Sequence, residues 1–88
     1  MCTYATVKTP LLGSAKGPAG DWFRVTDGVV YFDHPVHAPA EHTLNIDFTN
    51  PACGPSARVA VELSAASARE LVQAIEAALE SAPLELTR

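Results

Sequence analysis

The stretch Thr43-Leu44-Asn45-Ile46-Asp47-Phe48-Thr49 decides the fold class of this chain of 88 residues. Its side chains alternate, so leucine, isoleucine and phenylalanine lie on one face of a strand while asparagine and aspartate lie on the other. Residues 58–63 repeat the alternation after a turn that contains proline and glycine, and we expect these two strands to pair. The pattern predicts an antiparallel sheet with one apolar face.

Residues 64–82 carry a helical pattern. Small and aliphatic side chains recur there at the spacing of one helix face, at Ala68, Leu71, Val72, Ile75, Ala78, Leu79 and Ala82. Ser67 with Glu70 forms a capping box and Ser64 is a competing start, whereas Pro83 ends the helix. We therefore expect a single amphipathic helix near the C-terminus.

The first third of the chain predicts three further strands. Residues 3–9 are rich in β-branched side chains and stop at Pro10, and residues 11–20 are expected to form a flexible loop. Residues 22–26 and 29–33 flank Asp27-Gly28, a dipeptide that is typical of a tight type I′ hairpin turn.

The order of these elements predicts one α+β domain over residues 1–88, with an antiparallel sheet of about five strands and the C-terminal helix packed on one face. One helix cannot cover so many strands, so a sheet face or an exposed edge is left for a second subunit. Because two-fold symmetry is the commonest arrangement, we expect a homodimer.

The composition excludes several classes of function. A net charge of −4 and a pI near 5.1 argue against nucleic-acid binding, since phosphate recognition needs clustered basic residues. No apolar run has the length of a membrane span, and the start of the sequence lacks the pattern of a secretion signal. We expect a cytoplasmic protein that binds neither nucleic acid nor membrane.

All three histidines of the chain, His34, His37 and His42, lie in one proline-containing loop together with Asp33 and Glu41. Imidazole titrates near neutral pH and is a common metal ligand, so the cluster suggests a site. The His-x2-His-x4-His spacing matches no common zinc motif. Three interpretations stay open: one transition metal ion (zinc, copper or iron), a metal-free pocket for acid/base chemistry, or histidines that only hydrogen-bond loop carbonyls.

Cys2, Glu41 and Asp47 are the candidate catalytic residues. Removal of Met1 would leave Cys2 with an amine beside its thiol, able to chelate a metal or act as a nucleophile; an ordinary small residue is the alternative. Asp47 can support a histidine or form a cross-strand ion pair with the next strand. A simple five-stranded meander would place Cys2 at the opposite end of the sheet from the histidine loop.

Several stretches together resemble a group of short actinobacterial proteins of unknown function. They are the opening Met1-Cys2-Thr3-Tyr4, the block that runs from Asp33-His34-Pro35 to Asp47-Phe48, and the alanine-rich terminal helix. The resemblance covers nearly the whole chain. It implies an actinobacterial source, but it supplies no reaction, ligand or catalytic residue.

Two hypotheses about function follow. In the first, the histidine loop binds a metal ion or carries out acid/base chemistry on a small organic molecule. In the second, the chain is a non-catalytic module for small-molecule binding or assembly, in which the histidines are structural. Metal analysis of the untagged protein would separate them.

Overall fold

A computed structural model describes residues 4–88 of the chain as an antiparallel sheet followed by a helix. The sheet has the order β1-β2-β3-β4, and its strands are Thr6–Lys16, Trp22–Asp33, Thr43–Thr49 and Arg58–Leu63. A 3-10 turn, Pro51–Cys53, precedes β4, and the helices α1 (Ala65–Ser81) and α2 (Leu84–Thr87) follow it. The predicted α+β class is confirmed, with four strands instead of five.

The strand count differs because the predicted hairpin at Asp27-Gly28 is wrong. β2 runs through this dipeptide without turning, and Gly28 is not among the described glycines with positive φ, which are Gly20 and Gly54. The chain reverses instead after Lys16, where the Gly17 amide donates to the Asp21 carbonyl at 2.9 Å. Residues 11–16, predicted as part of a flexible loop, therefore belong to β1.

Gly28 has a packing role in this long strand. It pairs with Thr9 on one side and Phe48 on the other, beneath the side chain of Leu11. A Cβ atom at Gly28 would lie 2.8 Å from the Leu11 Cδ1 atom, which is closer than real Cβ contacts allow. The glycine thus permits close approach of a neighbouring side chain, a second common reason for glycine in a strand.

The two faces of the sheet differ in chemistry, as the alternation in β3 predicts. Tyr31, Asn45 and Glu62 are cross-strand neighbours in one row of β2, β3 and β4. The adjacent row, which points to the other face, consists of Val30, Ile46 and Val61.

Two buried residues lie on the polar face of β3. Thr43 and Asn45 keep only 2% and 5% of their surface exposed, and the Thr43 hydroxyl donates a hydrogen bond to Asn45 Oδ1 at 2.6 Å. Within the described part of the chain only Val25 and Ala57 are buried hydrophobic residues. The side chains of the apolar row are only partly buried, so the described residues form no extensive hydrophobic core.

Helix α1 begins where the competing start was predicted, at Ser64, whose hydroxyl oxygen accepts a hydrogen bond from the Ser67 amide at 3.1 Å. Its first turns meet the sheet beside Phe32 and Leu44. Beyond them the helix leaves the sheet, and its apolar stripe is exposed. No helix in residues 4–88 has the length and apolarity needed to cross a membrane.

Candidate functional site

The polar face of the sheet and the histidine loop enclose a cleft of about 490 Å³, which we call the polar cleft. The sheet contributes polar side chains from three neighbouring strands, and the loop contributes two imidazole rings. The chemically active lining residues are Tyr31, Asn45, Asp47, Arg58, His34 and His37.

Glu62 of β4 holds the histidine loop over the cleft. Its carboxylate accepts hydrogen bonds from the backbone amides of Val36, His37 and Ala38, at 2.5, 3.1 and 2.8 Å. These bonds, foremost those from Ala38 and Val36, lower the pKa of Glu62 below its ordinary value. The carboxylate therefore stays charged at neutral pH and fixes the position of the loop.

Three polar side chains form a connected group on the floor of the cleft. Arg58 Nη2 donates to Asp47 Oδ1 at 2.9 Å, and the Tyr31 hydroxyl donates to Asp47 Oδ2 in a long hydrogen bond of 3.5 Å. The hydrogen bond to Asp47 raises the pKa of Arg58. Burial, followed by the charge of Asp47, raises the pKa of Tyr31, so its hydroxyl keeps its proton through the neutral range.

His34 is oriented by the backbone of its own loop. Its Nδ1 atom lies 2.7 Å from the Glu41 carbonyl oxygen. A carbonyl oxygen can only accept a hydrogen bond, so the proton of a neutral His34 ring sits on Nδ1 and the lone pair on Nε2. A backbone contact that selects the tautomer in this way is typical of histidines that act as bases or ligands.

His42 lies behind His34 in an aromatic cluster. Its ring stacks on Phe32 at 5.6 Å and on His34 at 4.6 Å between ring centroids, with Tyr4 at 6.1 Å. Its Nε2 atom is buried, and no hydrogen-bond partner for it is found among the described residues. A buried polar atom of this kind is uncommon in folded proteins.

The structure brings the predicted histidines together only in part. His34 and His37 line the polar cleft, whereas His42 packs behind it. In residues 4–88 no group of three or more histidine, cysteine or acidic side chains is arranged to hold a metal ion. The metal site of His34, His37 and His42 stays a prediction.

The acidic candidates have structural partners. Glu41 contributes its backbone carbonyl to His34, and Asp33 accepts a hydrogen bond from the His34 amide at 2.7 Å. Asp47 forms the cross-strand ion pair with Arg58 that the sequence offered as one alternative. Its carboxylate thus positions the side chains of Arg58 and Tyr31 on the floor of the cleft.

Cys2 lies outside the described residues, and its candidate role stays a prediction. The described start of β1, however, lies at a different end of the sheet from the one that a five-stranded meander predicts. The five-stranded meander placed the start of the chain far from the histidine loop. With β2 continuous, the chain enters the sheet beside that loop, because Thr6 pairs with Tyr31 and the Tyr4 amide donates to the Phe32 carbonyl.

Sequence reasoning missed the role of Glu62 and the participation of Tyr31. A signal for Glu62 was present: Pro35 and Pro39 have no amide hydrogen, so the amides between them need an acceptor from elsewhere in the fold. The face of Tyr31 could not be assigned, because a predicted turn at Gly28 broke the register between β2 and β3.

The structure is a small α+β fold in which a histidine-containing loop and the polar face of the sheet together form a cleft. Over residues 1–88 the sequence matches the model of a family of unknown function, DUF6295, and the chain belongs to that family. Comparison with curated proteins and with solved structures gives no match.

Proposed function

We propose that this protein binds a small organic molecule with a carboxylate group in the polar cleft, and that His34 and Tyr31 exchange protons with it. The observation that carries the proposal is the convergence of an arginine, a protonated tyrosine and an oriented histidine on one cleft of about 490 Å³. That volume suits a small metabolite. A cytoplasmic location and an actinobacterial source are part of this proposal and rest on the sequence alone.

Arg58 is the group that would bind the carboxylate. Its side chain is 50% exposed while Asp47 holds the guanidinium from one side, so N–H groups are accessible from the cleft. Guanidinium presents a planar set of donors that matches a carboxylate. Glu62 competes little for Arg58, because its oxygens already accept three amide hydrogen bonds.

The proton chemistry follows from the two remaining groups. In a ligand with a carbonyl next to an acidic C–H bond, His34 Nε2 takes the carbon-bound proton while the Tyr31 hydroxyl gives a proton to the carbonyl oxygen. The product is the enol, and the reverse transfers restore the ketone. The step is a balanced proton exchange that needs no oxidant, reductant or metal.

Binding is tested with pyruvate as the probe, followed by amide and side-chain NMR of the labelled protein. We expect shift changes at Tyr31, Asn45 and Arg58 that saturate at millimolar pyruvate. Arg58→Gln should abolish them. Arg24→Gln, at an exposed position of β2 that does not line the cleft, is the matched control and should bind pyruvate like the wild type.

Proton transfer is tested by the exchange of the pyruvate methyl protons in D₂O. We expect exchange above the buffer rate, reduced on the order of 10²-fold or more by His34→Gln and unaffected by Cys53→Ser. Binding without exchange would favour the non-catalytic binding module. If the folded protein neither binds pyruvate nor exchanges its methyl protons, the proposal is contradicted.

Metal binding is the second candidate, favoured by the buried Nε2 atom of His42 beside the His34 ring. The test is metal analysis of untagged protein after growth with added zinc, copper and iron. Stoichiometric metal that is lost in both His34→Ala and His42→Ala would support this candidate. Metal-free protein that exchanges pyruvate protons would exclude it in favour of the first.

A further inference from the structure

We infer that the exposed apolar stripe of α1 packs on the apolar sheet face of a second copy of this chain, so that two chains exchange their C-terminal helices. The inference is independent of the chemistry of the polar cleft. It rests on the surface that the single chain leaves uncovered and on the way in which α1 leaves the sheet.

The helix stripe is exposed along most of its length. Leu71, Val72, Ile75 and Leu79 keep 42%, 56%, 52% and 54% of their surface accessible. A helix with such a stripe is stable in water only when the stripe is packed, because most helical stability in proteins comes from tertiary contacts.

The sheet offers a complementary surface at the end remote from the start of α1. Leu11, Leu12, Val25, Phe48 and Val59 line an apolar depression of about 420 Å³. Leu12 at its rim is 97% exposed. Aliphatic side chains from a helix can fill such a depression.

The helix of the same chain is poorly placed to cover this face. Ser64 alone separates the end of β4 from the start of α1, whereas connections between neighbouring elements usually take about two to six residues. The Ser64 cap also fixes the direction of the first turn. α1 therefore projects from the sheet and presents its stripe to another molecule.

The dimensions of the two surfaces agree. The 17 residues of α1 span about 25 Å at 1.5 Å per residue. The seven residues of β3 span about 24 Å in an antiparallel sheet. One helix thus has the length of the face that it would cover.

The uncovered area has the size of a stable dimer interface. The chain exposes 6686 Å², whereas a compact monomer of 9.3 kDa exposes about 5,000 Å². The radius of gyration is likewise 14.5 Å against about 12 Å for a compact chain of this length. An excess of about 1,700 Å² per chain corresponds to the burial typical of obligate dimers.

The first experiment measures mass and thermal unfolding of the full chain across a wide concentration range. We expect twice the chain mass of 9.3 kDa and a midpoint that rises with concentration, because folding is coupled to association. A chain that is monomeric and cooperatively folded throughout that range would overturn the inference.

The second experiment compares two substitutions that introduce the same charge. Ile75→Glu places it in the stripe, and Gln73→Glu places it on the opposite side of α1. Ile75→Glu should weaken association at least about 100-fold or abolish folding, while Gln73→Glu stays dimeric. Equal behaviour of the two variants would contradict burial of the stripe.

The third experiment works even if Ile75→Glu fails to fold. Wild-type chains labelled with ¹³C and ¹⁵N are mixed with unlabelled chains, and contacts between the two are selected by isotope filtering. We expect inter-chain contacts from the methyl groups of Ile75 and Leu79 to Phe48 and Val59. Contacts confined to one chain, or inter-chain contacts between the two sheets only, would overturn the exchange of helices.

Discussion

The two faces of the sheet differ in how their side chains are covered by the rest of the chain. On the polar side Glu62 accepts hydrogen bonds from three backbone amides of the histidine loop. Thr43 and Asn45 are buried on the same side. On the apolar side the row of Val30, Ile46 and Val61 stays partly exposed, and α1 contacts β3 and β4 at only a few residues.

The contrast illustrates that a short loop can satisfy the hydrogen bonds of polar groups, whereas it cannot bury a large apolar surface. Hydrogen bonds need only a few well-placed donors, which a loop of about nine residues provides. The stabilisation from apolar burial is proportional to the area buried. A chain of 88 residues buries a smaller fraction of its surface than a larger domain does. The second copy that we infer would supply the apolar burial that one chain of this size leaves incomplete.

The largest effect is expected from truncation on the apolar side. Phe48→Ala should lower the free energy of unfolding by about 3–5 kcal/mol, the cost typical of a fully packed phenylalanine, as measured by denaturant titration at fixed protein concentration. Val36→Ala, at a loop position that is 98% exposed on the polar side, should change it by less than about 0.5 kcal/mol. A cost near 1 kcal/mol for Phe48→Ala would instead indicate an uncovered face.

A smaller effect is expected at Gly28, which tests the continuity of β2. Gly28→Ala should cost about 1 kcal/mol, the low end of the range for overpacking, because the end of the Leu11 side chain must shift. The cost should vanish in a chain that already carries Leu11→Ala. The free energies of unfolding of the two single variants and the double variant give this coupling directly. A cost independent of Leu11 would point to a glycine-specific backbone conformation, as in the hairpin that the sequence predicted.

Glu62→Gln should loosen the histidine loop while leaving the apolar side unchanged. Loss of the charged acceptor should increase amide hydrogen exchange of Val36, His37 and Ala38 on the order of tenfold, with no change at Ile75. The matched control is Glu76→Gln, on the exposed helix. Unchanged exchange in the loop would show that the three amide bonds do not hold it.

The same carboxylate predicts a pH dependence. Its folded pKa lies below the unfolded value, so its stabilisation is complete above the ordinary glutamate pKa and is lost as the pH falls through the lowered pKa. Loop exchange, corrected for its intrinsic pH dependence, should therefore rise in acid in the wild type. In Glu62→Gln the acid-induced rise should be absent.

The smallest effect is expected at Asp47. Asp47→Asn removes a partly exposed ion pair, so the free energy of unfolding should fall by at most about 1 kcal/mol. Ultraviolet titration should show the pKa of Tyr31 moving down toward its ordinary value, while burial keeps it above that value. A Tyr31 pKa that does not move would argue against the contact with Asp47.

Sequence patterns predicted the parts of the fold that depend on local periodicity. Strict alternation fixed the faces of β3 and β4, and the spacing of Leu71, Val72, Ile75 and Leu79 fixed α1. The failure at Asp27-Gly28 has a clear origin: the dipeptide suits a tight turn, but here it lies inside a continuous strand, and Gly28 packs beneath Leu11 of the neighbouring strand. A contact between strands cannot be seen in a local signal.

The candidate site shows the same division. The histidine loop was predicted from composition, and the Asp47 ion pair was one of the stated alternatives for that residue. The hydrogen bonds from the loop amides to Glu62 join residues that are 24 to 26 positions apart. The tautomer of His34 depends on the contact of its Nδ1 atom with the Glu41 carbonyl. Both depend on tertiary geometry, which spacing alone does not contain.

The entry of the chain into the sheet has a practical consequence for handling this protein. The ring centroids of Tyr4 and His42 lie 6.1 Å apart, so a peptide joined a few residues upstream of Tyr4 is within reach of the imidazole cluster. A polyhistidine affinity tag at that end would bring additional imidazole ligands close to the rings of His34 and His42. Purification handles that are removed by protease, or that contain no histidine, avoid this artefact.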